Sequence, residues 1–424
     1  MNPRRDRLAV LGSVVLAVAL PATAHATDGY FSLGYDDQTK GMAGVGVSSA
    51  DGVEAAAANP ALGVKAGNSV GGGLSFFIPR RDDINSAGNA PGYDIAPGKF
   101  TSSEDLFLIP YLGANYQLDD KSALSLLLYA NGGLNTHYEV SPFAGFGGIR
   151  NPSTPAGVDL DQVFITPNYA RKIGYGISLG AGPVFAVQRF AAQGLQAFEG
   201  QSSAPGAVTN NSYNYSYGIG AKLGATWDAA DWLTFGAAYQ SRIWTTSFNR
   251  YEGLFAEQGG FDIPPEVTAG VTFRPLPTLD VSLEYQHIFY GEVKSIANQG
   301  TQVFLGYPLG ASDGSGFGWK DMNVFRVGVQ WKATQQLVLR AGYSHASDFT
   351  NAQNALFNVL APATVKDHIA FGGGYDITPA WTVGAAYVHS FASSLSGYNQ
   401  FDPSQTIKLN MVQDEVTVGV RYRF

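Results

Sequence analysis

Gly176-Ile177-Ser178-Leu179-Gly180 matches the Gly-x-Ser-x-Gly pattern of a hydrolase nucleophile. The pattern makes a nucleophile only where the serine tops a strained strand-to-helix turn and an acid and a histidine follow. Here Ala181, Gly182 and Val184 continue an alternating, glycine-rich run with no helical period, so Ser178 reads as one residue of a strand. His137, His287, His345, His368 and His389 are scattered over separate strand-like runs, without a local serine partner. Neither histidine nor aspartate falls at metal-ligand spacing. Cysteine is absent, which removes disulfides and thiolate chemistry. The sequence therefore predicts no catalytic residue, no metal and no other cofactor.

The elements that hold these residues are strands. Charged residues make up 14% of the chain and aromatics 13%, with 52 glycines and 22 tyrosines, a balance that favours an all-β protein. A chain of 424 residues would usually divide into domains, but a closed β-barrel uses that length as one unit. Past the N-terminus no run is long and apolar enough for a membrane helix. Alternating barrel strands average to near-neutral hydropathy, so this does not exclude a membrane. The net charge is −8. No basic face is evident, which argues against a nucleic-acid partner.

Residues 1–26 read as a secretory signal: Arg4, Arg5 and Arg7, an apolar run from Leu8 to Leu20, then the small-x-small site Ala24-His25-Ala26. Within residues 27–68 the stretch Gly41–Gly63 is rich in glycine and alanine, holds no aromatic residue and cannot build a core alone. Asp51 and Glu54 resemble a capping box and predict one helix over 51–58, ended by Pro60. Such a segment suits a plug enclosed by something larger.

From 69 to 424 fourteen strand-like runs follow, centred on 69–79, 105–117, 122–137, 159–171, 174–190, 212–227, 232–248, 265–274, 278–292, 321–332, 336–347, 364–376, 380–393 and 411–424. Alternation is clean in Leu279, Val281, Leu283 and Tyr285 against Asp280, Ser282, Glu284 and Gln286. Short connections alternate with long ones, at about 80–104, 139–158, 191–211, 249–264, 293–320, 348–363 and 394–410. Short turns on one rim and long loops on the other are the pattern of outer-membrane barrels. The prediction is an all-β, fourteen-stranded antiparallel transmembrane β-barrel with a small hatch in its lumen. An even strand count puts both termini on the periplasmic side of the outer membrane of a Gram-negative bacterium. Tyr111, Tyr116, Tyr239 and Tyr422 are expected at the headgroup level, among outer-membrane lipid and lipopolysaccharide.

Within this frame Asn59-Pro60-Ala61 resembles the hatch signature of the FadL family of outer-membrane transporters for long-chain fatty acids and other hydrophobic molecules. Gly29-Tyr30 is similar to the family's Gly-aromatic N-terminus, and Asn131-Gly132-Gly133-Leu134-Asn135-Thr136 to its third strand, where an inward kink opens the wall. Val158-Asp159-Leu160, Pro265-Glu266, Trp319-Lys320-Asp321 and Asp367-His368 fall in matching order. Val365-Lys366 departs from the family, which often has a proline there. The resemblance implies Asn131, Gly132 and Gly133 as a lateral gate, and Arg189 and Lys294 as cations beside a ligand carboxylate. Tyr30 and Phe31 are expected to line the ligand pocket. Uptake would run from capture at the long loops, through hatch movement, to sideways release. Long-chain fatty acids are the leading ligand. Neutral aromatic hydrocarbons are the alternative within the same fold, and a lipid hydrolase or a nonspecific porin outside it.

Overall fold

The computed structural model describes residues 28–424, so the predicted signal segment lies outside the described residues. Fourteen strands form the wall: β1 (Ser69–Asn85), β2 (Phe107–Gln117), β3 (Ser122–Tyr138), β4 (Ala156–Gly174), β5 (Ile177–Gln193), β6 (Asn214–Ala230), β7 (Leu233–Gln240), β8 (Glu266–Leu276), β9 (Leu279–Ile288), β10 (Met322–Lys332), β11 (Leu337–Ala346), β12 (Asp367–Asp376), β13 (Trp381–Asn399) and β14 (Asp402–Arg423). Two short strands, Gly98–Thr101 and Trp244–Thr245, lie outside this ring and pair with β1 and β6. Each wall strand pairs antiparallel with its sequence neighbour, and Ser69–Asn85 pairs with Ile407–Arg423 to close the barrel. Closure leaves no sheet edge exposed to hydrocarbon, the condition for a spanning sheet.

Burial is inverted relative to a soluble protein. On β9 and β10, Leu283 and Phe325 face outward at 55% and 59% exposure, while Glu284 and Arg326 point inward at 6%. The outer face also repeats one motif on alternate strands. Tyr285 with His287, Tyr343 with His345, and Tyr387 with His389 each meet an acceptor on the next strand, Asn323, Asp367 and Asp414 respectively. Ser178 sits buried in β5, paired with Lys172 on one side and Thr226 on the other, far from any strand-to-helix elbow.

Some boundaries differ from expectation. The predicted loop at 394–410 is instead strand, because β13 and β14 continue as a paired hairpin with Leu395 opposite Leu409. The expected helix over 51–58 shrinks to Ala55–Ala58, without a side-chain cap on Glu54. The capping box lies earlier, where Asp36 and Thr39 cap the helix Asp37–Gly41. Asp51 and Glu54 are instead drawn toward the wall residue Arg421: Asp51 lies 3.7 Å from its guanidinium. Tyr111 likewise faces the lumen rather than the headgroups, donating to Asp37 Oδ1 at 2.9 Å.

Residues 28–66 fill the lumen. Asn59 Nδ2 donates to Val47 O and to Ala225 O on β6, and its Oδ1 accepts from the Ala61 amide. Buried ion pairs fix the segment elsewhere: Lys40 with Glu415, and Arg326 with Asp28 and Glu284 at 2.5 and 3.0 Å. The backbone touches the wall where side chains are missing. A Cβ on Gly180 would lie 2.3 Å from the Pro60 carbonyl carbon, so only glycine admits the Asn59-Pro60-Ala61 turn there. Gly180→Val should therefore displace this turn while the barrel still closes. The expected result is a folded, heat-modifiable barrel with raised ion conductance in planar bilayers; unchanged conductance would refute it.

Asp36, Asp37 and Glu54 converge on one side of the segment near Arg421. Burial, reinforced by Asp36, pushes the Glu54 carboxyl up to about 8, and burial with Asp37 nearby pushes Asp36 up to about 6. Carboxyls raised in the folded state favour proton uptake on folding. The seated segment is thus most stable in acid, and it loses stability as pH climbs from the ordinary carboxyl range through about 8. Proteolysis within residues 28–68 should increase between about pH 5 and 8 in intact barrels, and Glu54→Gln should flatten that rise.

Candidate functional site

Beneath the long loops lies an apolar cavity of about 610 Å³, counting all space free of atoms. The wall contributes Leu134, Val158, Leu160 and Phe190; the loops contribute Phe198, Phe255, Phe261, Phe317 and Phe357. Ser295 and Ser315 are its polar side chains, and no charged residue lines it among the described residues. Aromatic rings connect it to the exterior. Phe304, 55% exposed, packs 4.7 Å from Phe401, which lies 5.0 Å from Phe146; Phe146 in turn lies 5.0 Å from Phe198.

Tyr30 and Phe31 form the layer beneath. Both are buried without lining the cavity, but Tyr30 packs 6.1 Å from Phe261, which does line it, and 5.5 Å from Tyr290. Tyr290 donates to the Asp28 carbonyl at 2.6 Å and accepts from the Tyr30 amide, fixing the start of the segment.

The wall opens beside this layer. Pairing between β2 and β3 runs from Gln117↔Ala123 only as far as Leu112↔Leu128. Beyond it, Phe107–Tyr111 pair with β1, and Tyr129–Tyr138 pair with β4 except at Asn131, with Gly132 also bridged to Phe31. Bonds from Ser103 N to His137 O and from His137 N to Ser102 Oγ bound the opening at its far end. Phe77, Phe107, Ile109 and Ala130 cluster across it. A second cavity of about 290 Å³ leads there, lined by Gly29, Phe77, Arg81, Gly133 and Leu134 among others. Leu134 lines both cavities.

Asn131, Gly132 and Gly133 sit where β3 departs from β2. The β3–β4 register shifts between Ala130 and Gly132, which makes Asn131 the extra residue of a bulge. Ser32 N donates to Asn131 O at 2.8 Å and Gly133 N to Tyr30 O at 3.1 Å. A Cβ on Gly132 would lie 1.6 Å from Tyr30 O, so this approach requires glycine. Asn131 Nδ2 donates to Gln162, Gln162 to Gln188, and Gln188 to the carbonyl of cavity residue Phe261, all buried.

Arg189 and Lys294 are elsewhere. Strand alternation puts Arg189 on the face of β5 opposite cavity residue Phe190. Its guanidinium lies 2.5 Å from Asp161, 3.6 Å from Asp159 and over the Tyr213 ring. Lys294 lies outside the cavity, 3.0 Å from Asp313 and 3.4 Å from Glu257, and these hydrogen bonds hold its ammonium above the usual value. Each is thus internally neutralised. Sequence reasoning missed the loop phenylalanines, which have no periodicity to reveal them, and Arg81. Alternation carried past Pro79 would have put Arg81 on the inner face.

A sequence model of the family described as "Outer membrane protein transport protein (OMPP1/FadL/TodX)" matches residues 23–424. No curated protein matches. Among solved structures, the toluene transporter TodX of P. putida aligns with a TM-score of 0.68 at 18% identity, over 92% of this chain and 99% of that one. A Pseudomonas aeruginosa FadL homologue gives 0.68 at 17%, over 93% and 100%. The Ralstonia pickettii toluene transporter TbuX gives 0.62 at 18%, over 92% and 99%. At these identities the structures speak to the fold, but the family match spans nearly the whole sequence, and the chain belongs to the OMPP1/FadL/TodX family of outer-membrane transport proteins.

Proposed function

We propose that this protein takes up small neutral apolar molecules across the outer membrane and releases them sideways through the opening between β2 and β3. The observation that carries this reading is the apolar main cavity, joined outward by packed rings to exposed Phe304 and inward through Leu134 to the second cavity at the opening. Along it a molecule insoluble in water stays against hydrocarbon surface. Residues 28–68 act as the hatch. Tyr30 packs behind Phe261, so an occupant pressing on Phe261 bears on Tyr30 and on its bonds to the kink. Both termini lie on the periplasmic side, and lipopolysaccharide surrounds the outer rim.

Ligand class follows from charge. A carboxylate in the main cavity would be buried without a counterion, which is costly. Arg189 and Lys294 offer none, since aspartates and a glutamate already hold them. This favours neutral aromatic hydrocarbons over long-chain fatty acids, and the toluene transporters among the structural neighbours accord with it.

Reconstituted barrels should take up toluene at least about tenfold faster than benzoate at neutral pH, a ratio that corresponds to about 1.4 kcal/mol. A fatty acid outpacing its matching alcohol, with selective loss in Arg189→Ala or Lys294→Ala, would replace this assignment with the carboxylate one. The exit is tested separately. In the cysteine-free chain, Ile109→Cys and Ala130→Cys bridged by a short bis-maleimide, which adds one thiol at each end, should block uptake yet leave ligand binding intact. Undiminished uptake in the bridged protein would exclude the side exit.

A further inference from the structure

Arg81 is only 3% exposed and lines the second cavity at the wall opening. Lys40, Lys222 and Arg326, also buried, are matched to carboxylates, Lys40 to Glu415, Lys222 to Glu266 and Arg326 to Asp28 and Glu284, whereas buried Arg340 is held by the side-chain amides of Gln330 and Gln38. Among the described residues no carboxylate forms an ion pair with Arg81. It binds two backbone carbonyls instead, Nη1 donating to Asn135 O and Nη2 to Glu104 O. Those carbonyls stand on opposite sides of the gap. Asn135 belongs to the stretch of β3 that has left β2 and pairs with β4, and Glu104 to the segment that leads into β2. The guanidinium also lies over the Phe107 ring at 5.7 Å, next to the cluster that covers the opening.

We infer that Arg81 is the pin of the side exit, a positioning residue that sets how fast the opening parts. This rests on the side-exit reading above. Where the β2–β3 ladder stops, one planar fork with five N–H donors replaces the missing strand-to-strand bonds. Parting the wall requires the guanidinium to release one of the two carbonyls. A neutral carbonyl is a weaker partner than a carboxylate, so this bridge gives way while the ion pairs that seat the hatch persist. The released guanidinium keeps its other carbonyl and remains over Phe107. The buried Nε has no partner in the closed state, so the site is not saturated and can rearrange without leaving the cavity.

Arg81→Met keeps the length and bulk of the side chain but deletes both bonds. Its maximal uptake rate for toluene in liposomes should rise about fivefold, the scale of one or two lost hydrogen bonds, with little change in the half-saturation concentration. Arg81→Lys, whose single ammonium cannot fork between the two carbonyls, should fall between that variant and the parent. A fall in rate, no change, or a shift confined to half-saturation would overturn the inference. If Arg81→Met fails to assemble, Arg81→Lys carries the test with the same criteria. The bridged Ile109→Cys/Ala130→Cys barrel separates the two claims. Transport through the bridged barrel would sink the side exit itself, whereas a blocked bridge with no rate gain in the Arg81 variants would sink the pin alone.

Discussion

Inside hydrocarbon, every backbone N–H and C=O must find a partner within the protein. The barrel meets this by sequential pairing and by closing Ser69–Asn85 onto Ile407–Arg423. It departs from the pattern where β3 leaves β2 after Leu128. There the polar groups of the freed edge are taken up by other parts of the chain. The segment at Tyr30–Ser32 supplies a carbonyl to Gly133 and an amide to Asn131, and Arg81 supplies the bond to Asn135. The opening, the N-terminal segment and the arginine are thus tied by one accounting of hydrogen bonds.

This arrangement also explains the polarity of the interior. A lumen lined by Glu284, Arg326, Glu415 and Lys222 would hold water if empty, and the segment 28–66 fills it with matching charges and amides. The apolar cavity sits above that layer, under the loops, where loop phenylalanines join strand residues such as Leu134 and Phe190 in its lining. Charge below and hydrocarbon above divide the barrel into a part that holds the segment and a part shaped for an apolar occupant.

Much of the fold was legible because barrel strands obey a period of two over long runs, as in Leu279–Gln286 and Val416–Arg423. Legibility failed where tertiary pairing overrode local composition. Ser393–Tyr398 lacks strong strand formers yet pairs with Thr406–Met411, and Asp51 follows Arg421 rather than a helix cap. The kink glycines could be singled out in the sequence, but the need for glycine at Gly132 comes from the approach of Tyr30 O, a contact across a hundred residues. The cavity was the least legible part. Its rings come from four separate loops, and no spacing rule brings Phe198, Phe255, Phe317 and Phe357 together.

The partners of the N-terminal segment lie far along the chain: Lys40 meets Glu415 and Asp28 meets Arg326, separations of 375 and 298 residues. Contacts of such range form late, because the intervening chain must be organised first. Residues 28–40 can therefore take their final seat only with the closing strand in place, since Glu415 belongs to it. Without those partners Lys40 and Asp28 would be charges with no counterion in the wall. The seat of residues 28–40 is in that sense a property of the whole ring of strands, complete only when the ring is closed.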